Sequence, residues 1–187
     1  MQVTAMDIPD VKLIRPKKFG DARGFFMETY SQPRLEAAGV HVEFVQDNHS
    51  LSAEVGVLRG LHFQKPPNAQ AKLVRVTAGR VYDVAVDIRV GSPTYGKHVG
   101  RELGPEGEQL FVPAGFLHGF VTLEPNTEFL YKVSSLYAPE SDAGVLWNDP
   151  DLNIPWPLQG EPTLSGKDAG LPTFAEFQSP FVYEGSA

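Results

Sequence analysis

"VYDVAVDIRV", residues 81–90, is the stretch that decides the fold class. Tyr82, Val84, Val86 and Ile88 share one parity; Asp83, Asp87 and Arg89 share the other. Successive strand side chains point to opposite faces, so this is a strand period and not a helical one. Runs on either side repeat it: "AKLVRVTAG" (71–79), "EQLFVP" (108–113), "GFLHGFVTL" (115–123) and "TEFLYKVSS" (127–135). Turn-forming clusters such as "VGSPTYG", "GPEG" and "EPN" stand between the runs. The chain holds 16 Pro and 18 Gly, and short apolar runs punctuated in this way predict an all-β sandwich or barrel. One short helix is predicted at "SQPRLEAAG" (31–39), with Ser31 as its cap, Pro33 in its first turn and Gly39 ending it. The Pro-rich stretch 147–172 predicts a tail packed over the β core, with a short helix after Ser165.

The chain of 187 residues suffices for one domain with a real core, and neither a repeat nor a low-complexity segment divides it. The β core is expected at roughly 40–137, with an N-terminal arm over 1–39 and a C-terminal tail over 138–187. The formal charge of -7 argues against nucleic acid as the main partner, because backbone phosphates are bound by an excess of Lys and Arg. It leaves room for one phosphate ester held by a local basic cluster. No apolar run approaches the roughly 18 residues a membrane span needs, and "MQVTAMDIPD" lacks a signal-peptide pattern. The absence of cysteine removes disulfides and thiolate chemistry and fits a cytoplasmic setting.

"VGVLRGLHFQ" (55–64) places Arg59 and His62 in otherwise apolar strand sequence. Their parities differ, so both line one cavity only if the strand bulges, which Gly60 would permit. In "GFLHGFVTL", His118 shares a face with Phe116 and Phe120. Further polar candidates are Lys72, Tyr131, Arg23, Glu28, Gln46, Asn48 and Asp168. Singly, each has a plain structural reading: a solvated strand face for Lys72, a core aromatic for Tyr131. Asp168 follows Ser165 by three residues, as in a helix capping box.

"GEQLFVPAGFLH" (107–118) resembles the second cupin motif, Gly, five residues, Pro-x-Gly, two residues, His. Metal-binding cupins usually add an Asn where Thr122 stands, and a His-x-His where "GLHFQ" has one His. Two histidines alone make a poor divalent-metal site, so no metal is expected. A longer ordered set narrows the resemblance. "PKKFGDARGFFMETY", "QDNHSLS", "GVLRGLHFQKPPNAQAKLVRV", "TEFLYKVSSLYAPE", "WNDPDLNIPWP" and "LSGKDAGLP" are similar to the dTDP-4-dehydrorhamnose 3,5-epimerase family, over about residues 15–172.

That resemblance implies a cupin-type jelly roll (a double-stranded β-helix) with short peripheral helices. It implies a homodimer with sites shared between subunits and a dTDP-sugar substrate. The implied reaction inverts C3 and C5 of dTDP-4-keto-6-deoxy-D-glucose, through an enolate at C4 and with no metal and no cofactor, in dTDP-L-rhamnose biosynthesis. By the same resemblance, His62 is the base, Asp168 its dyad carboxylate, Tyr131 the proton donor and Lys72 the holder of the C4 oxygen. His118, Lys167 and Asp142 map to substrate contacts, Arg59 to the diphosphate with Arg23 from the partner subunit, and Gln46, Asn48, Phe26 and Glu28 to the thymidine. Asp142 replaces the Glu common in the family. The alternatives are a C5-only or C3-only epimerase, a metal-dependent cupin dioxygenase and a non-catalytic sugar-nucleotide-binding cupin.

Overall fold

A computed structural model describes residues 1–185; the last two residues of the expected tail lie outside the described residues. Strands β1 (Gln2–Ala5), β2 (Lys12–Arg15), β5 (Gln46–Ser52), β7 (Lys72–Ala78), β10 (Gln109–Val112) and β12 (Thr127–Val133) form a six-stranded sheet in the order β1-β2-β10-β7-β12-β5. Strands β6 (Leu58–Gln64), β8 (Val81–Asp87), β9 (His98–Leu103), β11 (Phe116–Thr122) and β13 (Asp142–Gly144) form a five-stranded sheet, β13-β6-β11-β8-β9. Strands β3 (Lys18–Asp21) and β4 (Gly24–Met27) make a separate hairpin. Within the sheets the strands pair antiparallel, and from β5 to β8 successive strands alternate between the sheets: β5 and β7 on the large one, β6 and β8 on the small one. This is the expected jelly roll.

Apolar residues fill three layers. Val74, Val76, Leu110 and Phe129 of the large sheet meet Val81, Ala85, Phe116 and Phe120 of the small one, with Phe120 stacked on Phe129 at 4.0 Å. Outside the small sheet, Val84, Val86 and Ile88 pack under Trp156, Phe174, Phe177 and Phe181 of the tail. Outside the large sheet, Ile14, Leu73 and Phe111 pack under Leu35 and Val40. Strand β8 is therefore buried on both faces. Its apolar parity faces the tail, and Val81, Asp83 and Ala85 face the space between the sheets. An antiparallel strand with one solvated face would put charge outward; the covering tail reverses that assignment here.

The two short helices form where the sequence expected them. Helix α1 runs Gln32–Ala37, with Gly39 in the left-handed region just beyond it at φ +78°. Ser31 occupies the N-cap position, but its side chain makes no capping hydrogen bond. Helix α2 is one turn, Gly166–Ala169, and there the Ser165 hydroxyl does cap, accepting from the Asp168 N–H at 3.1 Å. Leu35 is 2% exposed, so α1 is held by burial of one leucine more than by its cap.

Among the described residues no helix is long and apolar enough to cross a membrane.

Candidate active site

A cleft of about 420 Å³ opens between the sheets. His62 (β6), Lys72 (β7), His118 (β11), Tyr131 (β12) and Asp168 (α2) line it, with Arg59 at its edge. Arg59 and His62 share the cleft despite opposite parity. The β6–β11 register shifts between the pairs His118↔His62 and Phe120↔Arg59, so the strand bulges as expected. Gly60 sits at that shift with φ +133°, and a Cβ there would stand 2.6 Å from Gly119 Cα. Only a residue without a side chain meets both conditions.

Two imidazole–carboxylate pairs lie side by side. His62 Nε2 meets Asp168 Oδ1 at 2.7 Å, and the Gly60 N–H donates to Asp168 Oδ2 at 3.3 Å. Burial pushes the Asp168 carboxyl up; the hydrogen bond and charge of His62, with Gly60 and Ser165, outweigh it and hold the group below its ordinary value. Asp168 is thus the anion that fixes one ring proton of His62 at Nε2 and leaves Nδ1 for chemistry in the cleft. The capping-box expectation holds only in part, because this carboxylate turns to the imidazole.

His118, the register partner of His62, meets both carboxylate oxygens of Asp83 through Nε2, at 3.0 and 2.9 Å. Burial drives the His118 pKa down against the opposing pull of Asp83, and the charges of Lys72 and His62 lower it further. The sequence reading missed Asp83. The one signal for it was a carboxylate on a strand whose other parity is wholly apolar; without the tail's position it reads as a solvated face.

The opposite wall belongs to the large sheet. Lys72 pairs across β7 with Val112 and Val133, and its side chain reaches the cleft. Burial lowers its pKa to about 8, against the pull of Asp83 and Asp142 and with a further push from Lys167. Burial raises the Tyr131 phenol, so it holds its proton at neutral pH.

The remaining candidates divide. Gln46, Asn48, Asp142 and Lys167 line an adjoining recess that shares His62, Lys72 and Tyr131 with the cleft. The Gln46 amide donates to Asn48 Oδ1 at 2.8 Å, Lys167 bonds Asp142, and Tyr137, another residue missed in sequence, donates to Asp142 at 3.2 Å. Arg59 makes long hydrogen bonds to Ser52 and Leu51 at 3.4 Å. Glu28 lines a further groove, which shares Asn48 and Tyr131 with the recess, and pairs with Arg34 at 3.1 Å. Arg23 and Phe26 sit on the β3–β4 hairpin, Arg23 paired with Asp21 and Phe26 70% exposed. One chain does not bring these last two to its own cleft. Among the described residues no three His, Cys, Asp or Glu side chains gather as a metal site.

The family model for dTDP-4-dehydrorhamnose 3,5-epimerase matches residues 5–176. The chain belongs to the dTDP-4-dehydrorhamnose 3,5-epimerase family. Within the family it is 55% identical to the enzyme of that name from Pseudomonas aeruginosa, over 94% of this chain and 97% of that one. Its fold matches the Legionella pneumophila dTDP-6-deoxy-D-glucose-3,5-epimerase solved with dTDP-4-keto-L-rhamnose: TM-score 0.93, 44% identity, 98% of this chain and 99% of that one. A 3'-monoepimerase from Streptomyces bikiniensis, solved with dTDP-quinovose, matches at TM-score 0.86 and 33% identity, over 92% of this chain and 87% of that one. A single-centre epimerase therefore shares this fold.

Proposed function

We propose that this chain inverts C3 and C5 of dTDP-4-keto-6-deoxy-D-glucose, giving dTDP-4-keto-L-rhamnose for dTDP-L-rhamnose biosynthesis, without metal or cofactor. The observation that carries this reading is the opposition of His62, on the five-stranded sheet, to Tyr131, on the six-stranded sheet, across one cleft. Inversion at carbon needs a base on one side and an acid on the other, and the two walls supply one each.

Both C3 and C5 lie beside the C4 ketone, so each proton is acidic through the enolate that forms. His62 takes the proton through Nδ1 while Asp168 stabilises the imidazolium that results. The Lys72 ammonium stabilises the developing C4 oxyanion, and His118 adds a contact to the sugar. Tyr131 returns a proton to the opposite face; a phenol is a weak acid, but an enolate carbon is basic enough to accept from it. Arg59 grips the diphosphate with its guanidinium fork. Gln46, Asn48 and Glu28 read the thymidine, and Lys167 adds a further contact.

Arg23 and Phe26 act in trans, in a homodimer whose subunits share sites. The support is that Phe19, Phe25 and Phe26 are all more than half exposed on a hairpin separate from both sheets. The cysteine-free chain suits a cytoplasmic setting.

Turnover of dTDP-4-keto-6-deoxy-D-glucose in deuterated water tests the reading. Wild type places deuterium at C3 and C5; label at one carbon alone assigns a single-centre epimerase. His62→Ala abolishes exchange at both carbons, whereas Tyr131→Phe keeps some exchange and blocks net inversion. Full turnover by His62→Ala would remove the proposed base.

A further inference from the structure

The dyad carboxylate is carried by very little structure. Asp168 lies on the four-residue turn α2, and one helical turn has too few hydrogen bonds to offset the entropy of ordering it. To either side of that turn the backbone is anchored by Leu58 N–H to Thr163 O at 3.0 Å, Thr163 N–H to Gly56 O at 2.9 Å and Leu146 N–H to Pro172 O at 2.9 Å.

Between those anchors Leu171 packs against Gly144 of β13, and two adjacent polar side chains reach the same five-stranded sheet. Asp168 bonds His62 and Gly60 of β6. Lys167 bonds Asp142 of β13, the strand paired to β6, where Asp142 lies opposite Gln64. The two supports differ in rigidity. Asp142 is set by strand pairing and its side chain is only 14% exposed, while the Lys167 side chain is 48% exposed. Asp142 also accepts from the Tyr137 hydroxyl, which fixes its carboxylate from a third segment.

We propose that Asp142 is a positioning residue: it tethers α2 through Lys167 and so holds the Asp168 carboxylate against His62. The inference rests on His62 being the base. Asp142 acts on the neighbouring lysine and not on the sugar.

The test compares Asp142→Asn, Lys167→Met and the double variant, with Asp142→Glu as the charge-preserving control. Two readouts are used: steady-state epimerisation, and the ring N–H resonance of His62 in the free protein by NMR. Asp142→Asn is expected to lower kcat about 10-fold with KM within about twofold, the scale for loosening a group that orients a catalytic side chain. The double variant should be no slower than the worse single one, because both substitutions cut one tether. The His62 N–H resonance should broaden by faster solvent exchange in each variant, and Asp142→Glu should recover most of both signals. Losses in kcat that multiply to about 100-fold, a several-fold rise in KM for Asp142→Asn, or an unchanged His62 resonance would each overturn the tether. Wild type inert toward the dTDP-keto sugar would sink the proposed reaction instead, and the NMR arm would still decide the tether.

Discussion

Replacing Asp168 by Asn isolates the charge of the dyad with almost no change of shape. In the native site, Oδ2 accepts the Gly60 N–H at 3.3 Å and Oδ1 faces His62 Nε2 at 2.7 Å. An amide has one acceptor and one donor end. Gly60 offers a donor, so the amide oxygen is drawn there and the NH2 turns to His62. That NH2 requires a lone pair at Nε2, which moves the ring proton to Nδ1, the nitrogen left for the substrate. His62 then has no lone pair with which to take a carbon-bound proton. Flipping the amide restores the tautomer but sets two donors face to face, at about 2 kcal/mol. Losing the anion beside the imidazolium removes a charge-assisted hydrogen bond, about 2–3 kcal/mol more. The sum is about 4–5 kcal/mol, or a fall in kcat of about a thousandfold. Coupled epimerisation and deuterium exchange should fall together, with the melting temperature within a few degrees of wild type. An Asp168→Asn variant keeping more than about a tenth of wild-type exchange would refute the dyad.

Lys72→Met should cost about 3–4 kcal/mol in the transition state, a loss in kcat of several hundredfold, by analogy with removing one oxyanion donor. Burial has already lowered the Lys72 pKa to about 8, so the active ammonium is present below that pH and kcat should decline as pH rises through it. A profile flat to pH 10 would remove the ammonium from the mechanism. Gly60→Ala combines φ +133° with a Cβ 2.6 Å from Gly119 Cα and should destabilise by about 2–5 kcal/mol in denaturant unfolding. A loss under about 1 kcal/mol would mean that the bulge is easily redrawn. Arg23→Ala and His62→Ala, each inactive alone, should regain about a quarter of wild-type activity when co-refolded in equal amounts, since half the dimers are hybrids with one intact site. No recovery would place Arg23 outside a shared site.

The Arg59–Gly60–His62 stretch shows how far sequence reaches. Parity said that Arg59 and His62 face opposite ways, and chain chemistry said that glycine permits a bulge; whether it forms depends on Gly119, 59 positions away in sequence and against Gly60 in space. The identities of His62, Lys72, Tyr131 and Asp168 were legible because each sits in a specific block of sequence. Asp83 and Tyr137 were not, because their roles exist only through His118 and Asp142. Glu28 was legible by resemblance, yet in one chain it faces a neighbouring groove and pairs with Arg34.

By itself the sequence determined that this chain is β, through alternation in its strands, since local sterics and side-chain parity act between near neighbours. Only tertiary structure decided which face of each strand is the inside. The alternation of 81–90 is the same whichever way it is turned, and the aromatic tail closing over Val84, Val86 and Ile88 turns Asp83 inward to His118. A face is apolar by sequence, but it is interior only because something covers it.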